Sequence, residues 1–438
     1  MTVHHRIKTI GFLLLFLIAF PITWFITLIT YCLHFITRKP TIINPSMKRI
    51  LISNGGMTKA LQIARSLHSA GHYIVLTEEY SLATHRFSRC ISQFYLCADS
   101  DDVPAYIQSI VSIVKREKID IYIPVSHSTT ERIDARIRDV LIKYNCETFH
   151  GNVEQLNMLS DKYAFIDQAR SYGLTVPKSY KIINPKQVLD FDFTKEKHEF
   201  ILKSIAYNSI ARSNLRKIPC RTREETIDYV NSLSINEDSP WIMQEFIPGK
   251  EYCTHGAIRN GELRLFCCCE SSSWLLHYKH VNDKPLILKW VREFCTQVNL
   301  TGQASFDFIE SSEDGQPYAI ECNPRTHTAI TTFYNHSSVA EAYLDEKPLT
   351  NGPFQPYSTA RETYWLYHEL WSLITVRCFQ DWLCHLKRLF HGKEAIHSIE
   401  DPLPFFLHYT IHMPYLLCYN LCHPRQYNRV DCSLGLLL

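Results

Sequence analysis

The sequence predicts an α/β chain. A small Rossmann-like domain is followed by a larger α+β domain of antiparallel strands, with a hydrophobic helix in front and a helical extension behind. Three observations carry that expectation. Over residues 49–77 the apolar period switches from strand to helix and back, which reads as a βαβ unit. Two β runs, 251–258 and 262–269, flank Asn260-Gly261, a pair that favours a hairpin turn. Residues 10–36 carry no formally charged side chain and exceed the ~20 residues that cross a bilayer as a helix.

Taken in order, Arg6 and Lys8 precede the apolar run, and Arg38, Lys39, Lys48 and Arg49 follow it. The heavier positive flank after the run predicts a cytoplasmic catalytic part anchored to the membrane through residues 10–36. Pro21 is tolerable in such a helix, and no small-x-small cleavage site argues for a removed signal. Residues 37–46, with two prolines, read as a linker. Residues 49–53 read as a strand, Asn54-Gly55-Gly56 as a turn, 57–70 as a helix and 73–77 as a second strand. Ala60, Leu61, Ala64 and Leu67 share one face of that helix, and Gly71 ends it. A helix near 105–117 and a strand at 120–125 continue the alternation to about Phe149. The Asn54-Gly55-Gly56 turn is not GxGxxG and gives little support to a dinucleotide site.

Residues 161–172 read as a helix stopped by Gly173, with Pro177 opening the next strand. Residues 200–205 form an apolar strand with the single cation Lys203, and 241–247 form another, ended by Pro248-Gly249. Beyond about Asn351 the chain is aromatic and helical. There His408, His412 and three prolines in residues 402–414 favour a core helix or membrane-surface contact over a second span. The expected units are 1–46 (anchor and linker), 47–150 (Rossmann-like), 151–350 (the larger domain) and 351–438 (the extension).

Composition excludes several classes. Lys plus Arg is 46 against 44 for Asp plus Glu, with no basic block, so nucleic acid is not an expected partner. The 16 cysteines are scattered and lack paired C-x-x-C motifs, which argues against structural zinc. The run Cys267-Cys268-Cys269 suits core filling in a reducing compartment.

Residues 304–330 carry the chemistry. Two β runs flank a polar turn at Asp314-Gly315, and a turn centred on 314 sets Asp307 opposite Glu321. Strand alternation then puts Glu321 and Asn323 on one face and Cys322 on the other. Two carboxylates and an amide oxygen are hard ligands suited to Mg²⁺ carrying a nucleotide phosphate. Arg325, two residues on, suits an anionic phosphoryl group. Lys203, alone in its apolar strand, needs an anion or must snorkel out.

The pattern Asp307…Glu321-x-Asn323-Pro-Arg325 resembles the metal-binding hairpin of ATP-grasp ligases, the carboxylate–amine ligase superfamily. The resemblance implies a Rossmann-like pre-grasp domain before an ATP-grasp fold, with ATP and Mg²⁺ as cofactors, two ions, and Mn²⁺ as an alternative. It implies Lys203 and Lys162 as nucleotide-contacting lysines, following the Gly173…Pro177 step for the first. It casts residues 244–251 as the interdomain linker, with Glu245, Phe246 and Ile247 at the adenine edge and Glu251 on the ribose hydroxyls. One departure stands out. Residues 206–220 contain no glycine where many members place a glycine-rich loop, and Arg212, Arg216 and Lys217 either neutralise phosphate there or form a solvated basic face.

Segments 57–72, 114–125, 241–255 and 320–336, the apolar leader and YWLYHELW (364–371) together resemble mycosporine-glycine synthases. That resemblance implies ATP-dependent joining of glycine to the cyclohexenone 4-deoxygadusol through a phosphorylated enol, giving mycosporine-glycine, ADP and phosphate. Arg325 and Lys203 are then the expected catalytic residues, and His255, Arg259 and His327 the candidates for substrate contact or proton handling. Association with other enzymes of the same pathway is a further expectation. Two alternatives stay open: a carboxylate–amine ligase working through an acyl phosphate, and a tethered nucleotide-binding protein without turnover.

Overall fold

The computed structural model describes residues 3–37, 44–205, 215–271, 276–423, 427 and 429–437; the side chains of 3–5 and 34–37 are outside this description. Val3–Thr37 form one helix, α1. Within it Arg6–Leu33 is, by length and composition, apolar enough to cross a membrane. It lies along the C-terminal extension: Phe12 meets Trp371 edge-on at 4.8 Å, Phe16 stacks on Tyr367 at 4.2 Å and Phe20 meets Phe406 at 6.2 Å. Thr9 bonds the Tyr427 hydroxyl at 2.8 Å and Thr30 bonds His397 at 2.9 Å. The opposite face, with Leu17, Ile18 and Phe25, is exposed. The linker expected at 37–46 falls partly outside the described residues.

The first globular part is a parallel sheet. β1 (Arg49–Ile52) is followed by α2 (Thr58–Ser69), β2 (Tyr73–Glu78), β3 (Gln93–Leu96), α3 (Val103–Glu117), β4 (Ile121–Ile123), α4 (Glu131–Leu141) and β5 (Glu147–Thr148). The strand order is β3-β2-β1-β4-β5, all neighbours parallel. Ile50, Leu51 and Ile52 are all fully buried, because helices cover both faces of such a sheet. β3, α4 and β5 are absent from the sequence reading: β3 is four residues long and largely exposed, and β5 has only two. α4 carries Ile133, Ile137, Val140 and Leu141 at helical spacing, a stripe the sequence reading passed over among charged neighbours.

Next come α5 (Val153–Ser160), α6 (Lys162–Ser171), β6 (Ser179–Ile182), α7 (Pro185–Leu189), β7 (Phe200–Ser204), β8 (Lys217–Ile218) and β9 (Trp241–Glu245). Asp161 caps α6 by accepting from the amides of Tyr163 and Ala164, and Gly173 closes it at φ +73°. The strands form an antiparallel sheet in the order β6-β9-β7-β8. A second antiparallel sheet contains β10 (Gly249–Arg259), β11 (Glu262–Glu270), β13 (Gly302–Ser311) and β14 (Pro317–Asn323), in the order β11-β10-β13-β14; β12 (His277–Tyr278) belongs to a small separate sheet. Asn260 and Gly261 form the β10–β11 turn with positive φ at both positions.

The helix Pro285–Val298, also missed in the sequence, lines one face of this sheet with α6. Trp290 approaches Phe308 edge-on at 5.2 Å and Phe306 at 5.8 Å, and Phe165 joins them. Cys268 sits in that core, whereas Cys267 and Cys269 face the other, as strand alternation requires. The C-terminal region is helical, with a π turn at His408–His412 whose two histidines are buried. His408 stacks on His85 at 5.6 Å, so this stretch is core packing.

Candidate functional site

The burial of Phe306 and Phe308 decides where Asp307 points. Both phenylalanines are held in the Trp290 core, so Asp307 faces the other side of the sheet. Asp307 lies opposite Glu321, and Ser305 opposite Asn323. The route to that register is not the symmetric turn. Next to the turn the pairs are Glu310–Pro317, Ile309–Tyr318 and Phe308–Ala319, so an unbroken ladder would set Ile320 against Asp307 and aim Glu321 into the core. A bulge at Ile320 restores the pairing and turns Glu321 outward, leaving Cys322 buried.

Asn323 donates to Asp307 Oδ2 at 3.5 Å, and its Oδ1 accepts from Arg325 Nη2 at 2.7 Å. The second arm of Arg325 pairs with Glu131 of α4 at 2.6 Å. Arg325 therefore bridges the parallel-sheet part and the carboxylate edge. Among the described residues no group of three His, Cys, Asp or Glu could hold a metal ion. The two carboxylates and one amide fit a hard cation such as Mg²⁺ when nucleotide phosphate oxygens complete its shell.

Lys203 faces this edge from the other sheet. It donates to Gln244 Oε1 at 2.8 Å. Burial lowers its pKa, while Glu321, Glu251 and Asp307 act in the opposite sense. Lys162 stands close by: its charge adds to the lowering at Lys203, and its Nζ reaches the Ile205 carbonyl at 3.5 Å. The two sheets thus close a cleft with cations on one wall and carboxylates on the other. Glu251 sits at the start of β10, where Ser271 donates to it at 2.7 Å.

Other expected residues fall differently. The Glu245 side chain accepts from His198 Nδ1 at 2.8 Å and from the Lys178 amide at 3.1 Å. Alternation along β9 puts it on the face opposite Gln244, which leaves the backbone of Glu245, Phe246 and Ile247 to meet a ligand edge. The Phe246 ring lies under Lys217 at 3.9 Å, and Lys217 also pairs with Glu199 at 2.9 Å. Arg216 lies over Tyr229, and Arg212 is outside the described residues. Arg259 stands apart from the cleft, bonding Glu147 at 2.6 Å and the Tyr343 carbonyl at 2.5 Å; it ties β10 to β5.

His255 and His327 come together: the His327 amide donates to His255 Nδ1 at 3.3 Å. Burial, then Lys59 and Arg325, lower the His327 pKa to about 3, and burial lowers that of His255 well below its usual value. Both rings are neutral at pH 7, and His327 is too weak a base to take a proton from an amine there. Sequence reasoning missed Glu131 and Lys59 and, within the 244–251 linker, gave Gln244 no role of its own. Glu131 and Lys59 lie at the starts of ordinary helices, where a charged residue carries no special signal.

This arrangement of two antiparallel sheets behind a parallel-sheet domain is an ATP-grasp fold. The family model for the ATP-grasp domain matches residues 159–329. Among solved structures, the chain is similar to an N5-carboxyaminoimidazole synthetase from Staphylococcus aureus complexed with ADP, at 15% identity and a TM-score of 0.51, over 68% of this chain and 75% of that one. It is similar to a biotin carboxylase–β,γ-ATP complex from Campylobacter jejuni, at 14% identity and a TM-score of 0.51, over 69% and 72%. It is also similar to the biotin carboxylase domain of a 2-oxoglutarate carboxylase from Hydrogenobacter thermophilus in complex with MgADP, at 13% identity and a TM-score of 0.50, over 64% and 65%. No curated protein matches the sequence. Identities this low establish the fold alone.

Proposed function

We propose that the protein is an ATP- and Mg²⁺-dependent C–N ligase that joins glycine to 4-deoxygadusol. The observation that carries the ligase reading is the carboxylate edge of Asp307, Glu321 and Asn323 facing Lys203 across the cleft. The substrates rest on the sequence resemblance. The γ-phosphoryl group moves from ATP to the enol oxygen, breaking its bond to the β-phosphate oxygen and releasing ADP. The glycine nitrogen then adds to the carbon bearing the phosphate; the C–O bond breaks, phosphate leaves, and the nitrogen loses its proton to give an enaminone. Asp307, Glu321 and Asn323 would hold Mg²⁺, which would supply charge neutralisation to the nucleotide phosphates. Lys203 and Arg325 hold the transferring group, and the neutral His255 and His327 offer hydrogen bonds to substrate.

We further propose that the exposed face of α1 contacts a membrane, with the catalytic body on the cytoplasmic side. Its docking against the body from Thr9 to Thr30 supports a helix lying along the membrane surface. The test of the reaction is incubation of purified protein with Mg-ATP and glycine, with and without 4-deoxygadusol. Ketone-dependent ADP release with a new near-ultraviolet chromophore is expected. ADP release with simple carboxylates alone selects the acyl-phosphate reaction instead, and saturable ATP binding without ADP excludes ligation.

A further inference from the structure

One buried cation has no place in the chemistry above. Lys59 sits in the first turn of α2 and is only 5% exposed. Its ammonium donates to the Thr326 carbonyl at 2.8 Å and the Ser126 carbonyl at 3.4 Å, and among the described residues it forms no ion pair. Two neutral carbonyls compensate a buried charge poorly. Arg325 nearby is already paired with Glu131 and adds repulsion. Burial, then Arg325, lower the Lys59 pKa to about 7, although the carboxylates of Asp431 and Glu131, both held by other partners, act in the opposite sense. An arriving anion is favoured in such a setting.

Unpaired polar atoms lie next to it or next to its neighbour His255. Thr326 Oγ1, His255 Nε2 and Ser305 Oγ are all buried without a hydrogen-bond partner. The Thr326 backbone holds Lys59, and the charge of Lys59 is felt at both His255 and His327. The β10–β13 register, with Cys253 opposite Asp307 and Gly256 opposite Ala304, sets His255 across from Ser305. That pair lies two residues along the strands from Asp307, roughly 7 Å from the carboxylate edge. Unpartnered imidazoles also lie in the apolar core at His85, His408 and His412, but here the unpartnered atoms adjoin a buried cation and the carboxylate edge, and that combination points to a ligand.

We propose that Lys59, Thr326, Ser305 and His255 bind the second oxygen of a conjugated enol–ketone acceptor, the oxygen remote from the one that is phosphorylated. This rests on the ligase reading given above. In a vinylogous acid the two oxygens are separated by three carbons, so one can lie at the metal edge while the other reaches Lys59. When the amine adds to the phosphorylated carbon, the electron pair of the C=C bond moves through the conjugated system onto the remote oxygen. It returns as phosphate leaves. A fixed ammonium and a hydroxyl at that oxygen stabilise the charge where it develops. An ordinary carboxylate has its second oxygen on the reacting carbon and gains little from a cation this far along the strand.

The test measures acceptor-dependent ADP release, with glycine saturating, for the full chain and for Lys59→Met, Lys59→Arg and Thr326→Val. Binding of the dimedone anion (a simple vinylogous acid) and of Mg-ADP is measured in parallel. Lys59→Met is expected to lower kcat/KM for 4-deoxygadusol by about 100-fold and abolish dimedone binding, with Lys59→Arg restoring part of both and Mg-ADP affinity within about twofold of the parent. Thr326→Val, which removes an unpartnered hydroxyl, is expected to lower kcat/KM by about tenfold. Wild-type-like acceptor kinetics and dimedone binding in Lys59→Met overturn the inference. If that variant fails to fold, unchanged kinetics in Thr326→Val do so. Absence of acceptor-dependent ADP release in the unmutated chain strikes the proposed reaction itself, a distinct outcome.

Discussion

Asp307 and Glu321 show how little a residue's own character decides. Each is an ordinary strand carboxylate in sequence. Each becomes a candidate metal ligand because its neighbours Phe306, Phe308 and Cys322 are buried on the opposite face. Replacing Glu321 by Gln keeps the shape but removes the charge. We expect at least a 100-fold loss of ADP release, on the order of 3 kcal/mol in barrier, with an unchanged circular dichroism spectrum. Near-native turnover in that variant overturns the metal assignment. The position of Arg325 after Asn323 made it a candidate for phosphoryl binding in the sequence. Its pairing with Glu131 was not legible there, because the two are 194 residues apart in sequence.

At the level of elements, the hairpins were the most legible part of the chain. The Asn260-Gly261 turn forms at the two positions expected, with Asn260 at φ 51° and Gly261 at φ 76°. A Cβ at Gly261 would also come within 3.2–3.3 Å of the Thr296 backbone and the Cys295 carbonyl. Gly261→Ala is therefore expected to cost about 1–2 kcal/mol in urea denaturation while leaving the KM for ATP unchanged. A loss confined to ATP binding instead would mean that the turn helps shape the cleft. The β13–β14 hairpin teaches the complementary lesson. The expected Asp307–Glu321 pairing holds, but through a bulge at Ile320 that simple counting from the turn does not contain. Helix α4 was legible in principle, because Ile133, Ile137, Val140 and Leu141 share one face and enter one core, and the sequence reading passed over it.

Over the whole molecule, the seam between the parallel sheet and the grasp sheets is where separate patterns become one site. Glu131 and Lys59 come from the first part, Arg325 and Thr326 from the second. The N-terminal helix packs along the C-terminal extension and leaves Leu17, Ile18 and Phe25 exposed on its outer face, while the extension exposes Phe379 and Phe390. In vesicle flotation the full chain is expected to float with liposomes. Leu17→Asp/Ile18→Asp/Phe25→Asp, which changes only exposed positions, is expected to leave it at the bottom without loss of ADP release. Equal flotation of both proteins would remove the membrane proposal.

The sequence by itself determined what local chemistry can specify: the alternating apolar strands, the positive-φ turns, the 27-residue uncharged leader at 10–36, and the order of carboxylates and cations along 203–325. Tertiary structure alone decided the rest. It set Lys203 against Glu321, engaged the Glu245 side chain with His198, drew Arg259 away to Glu147, and brought Lys59 to Thr326 across 267 residues. The physical reason is that burial and long-range register, which fix a charge's partner and its protonation, arise only when distant segments pack together.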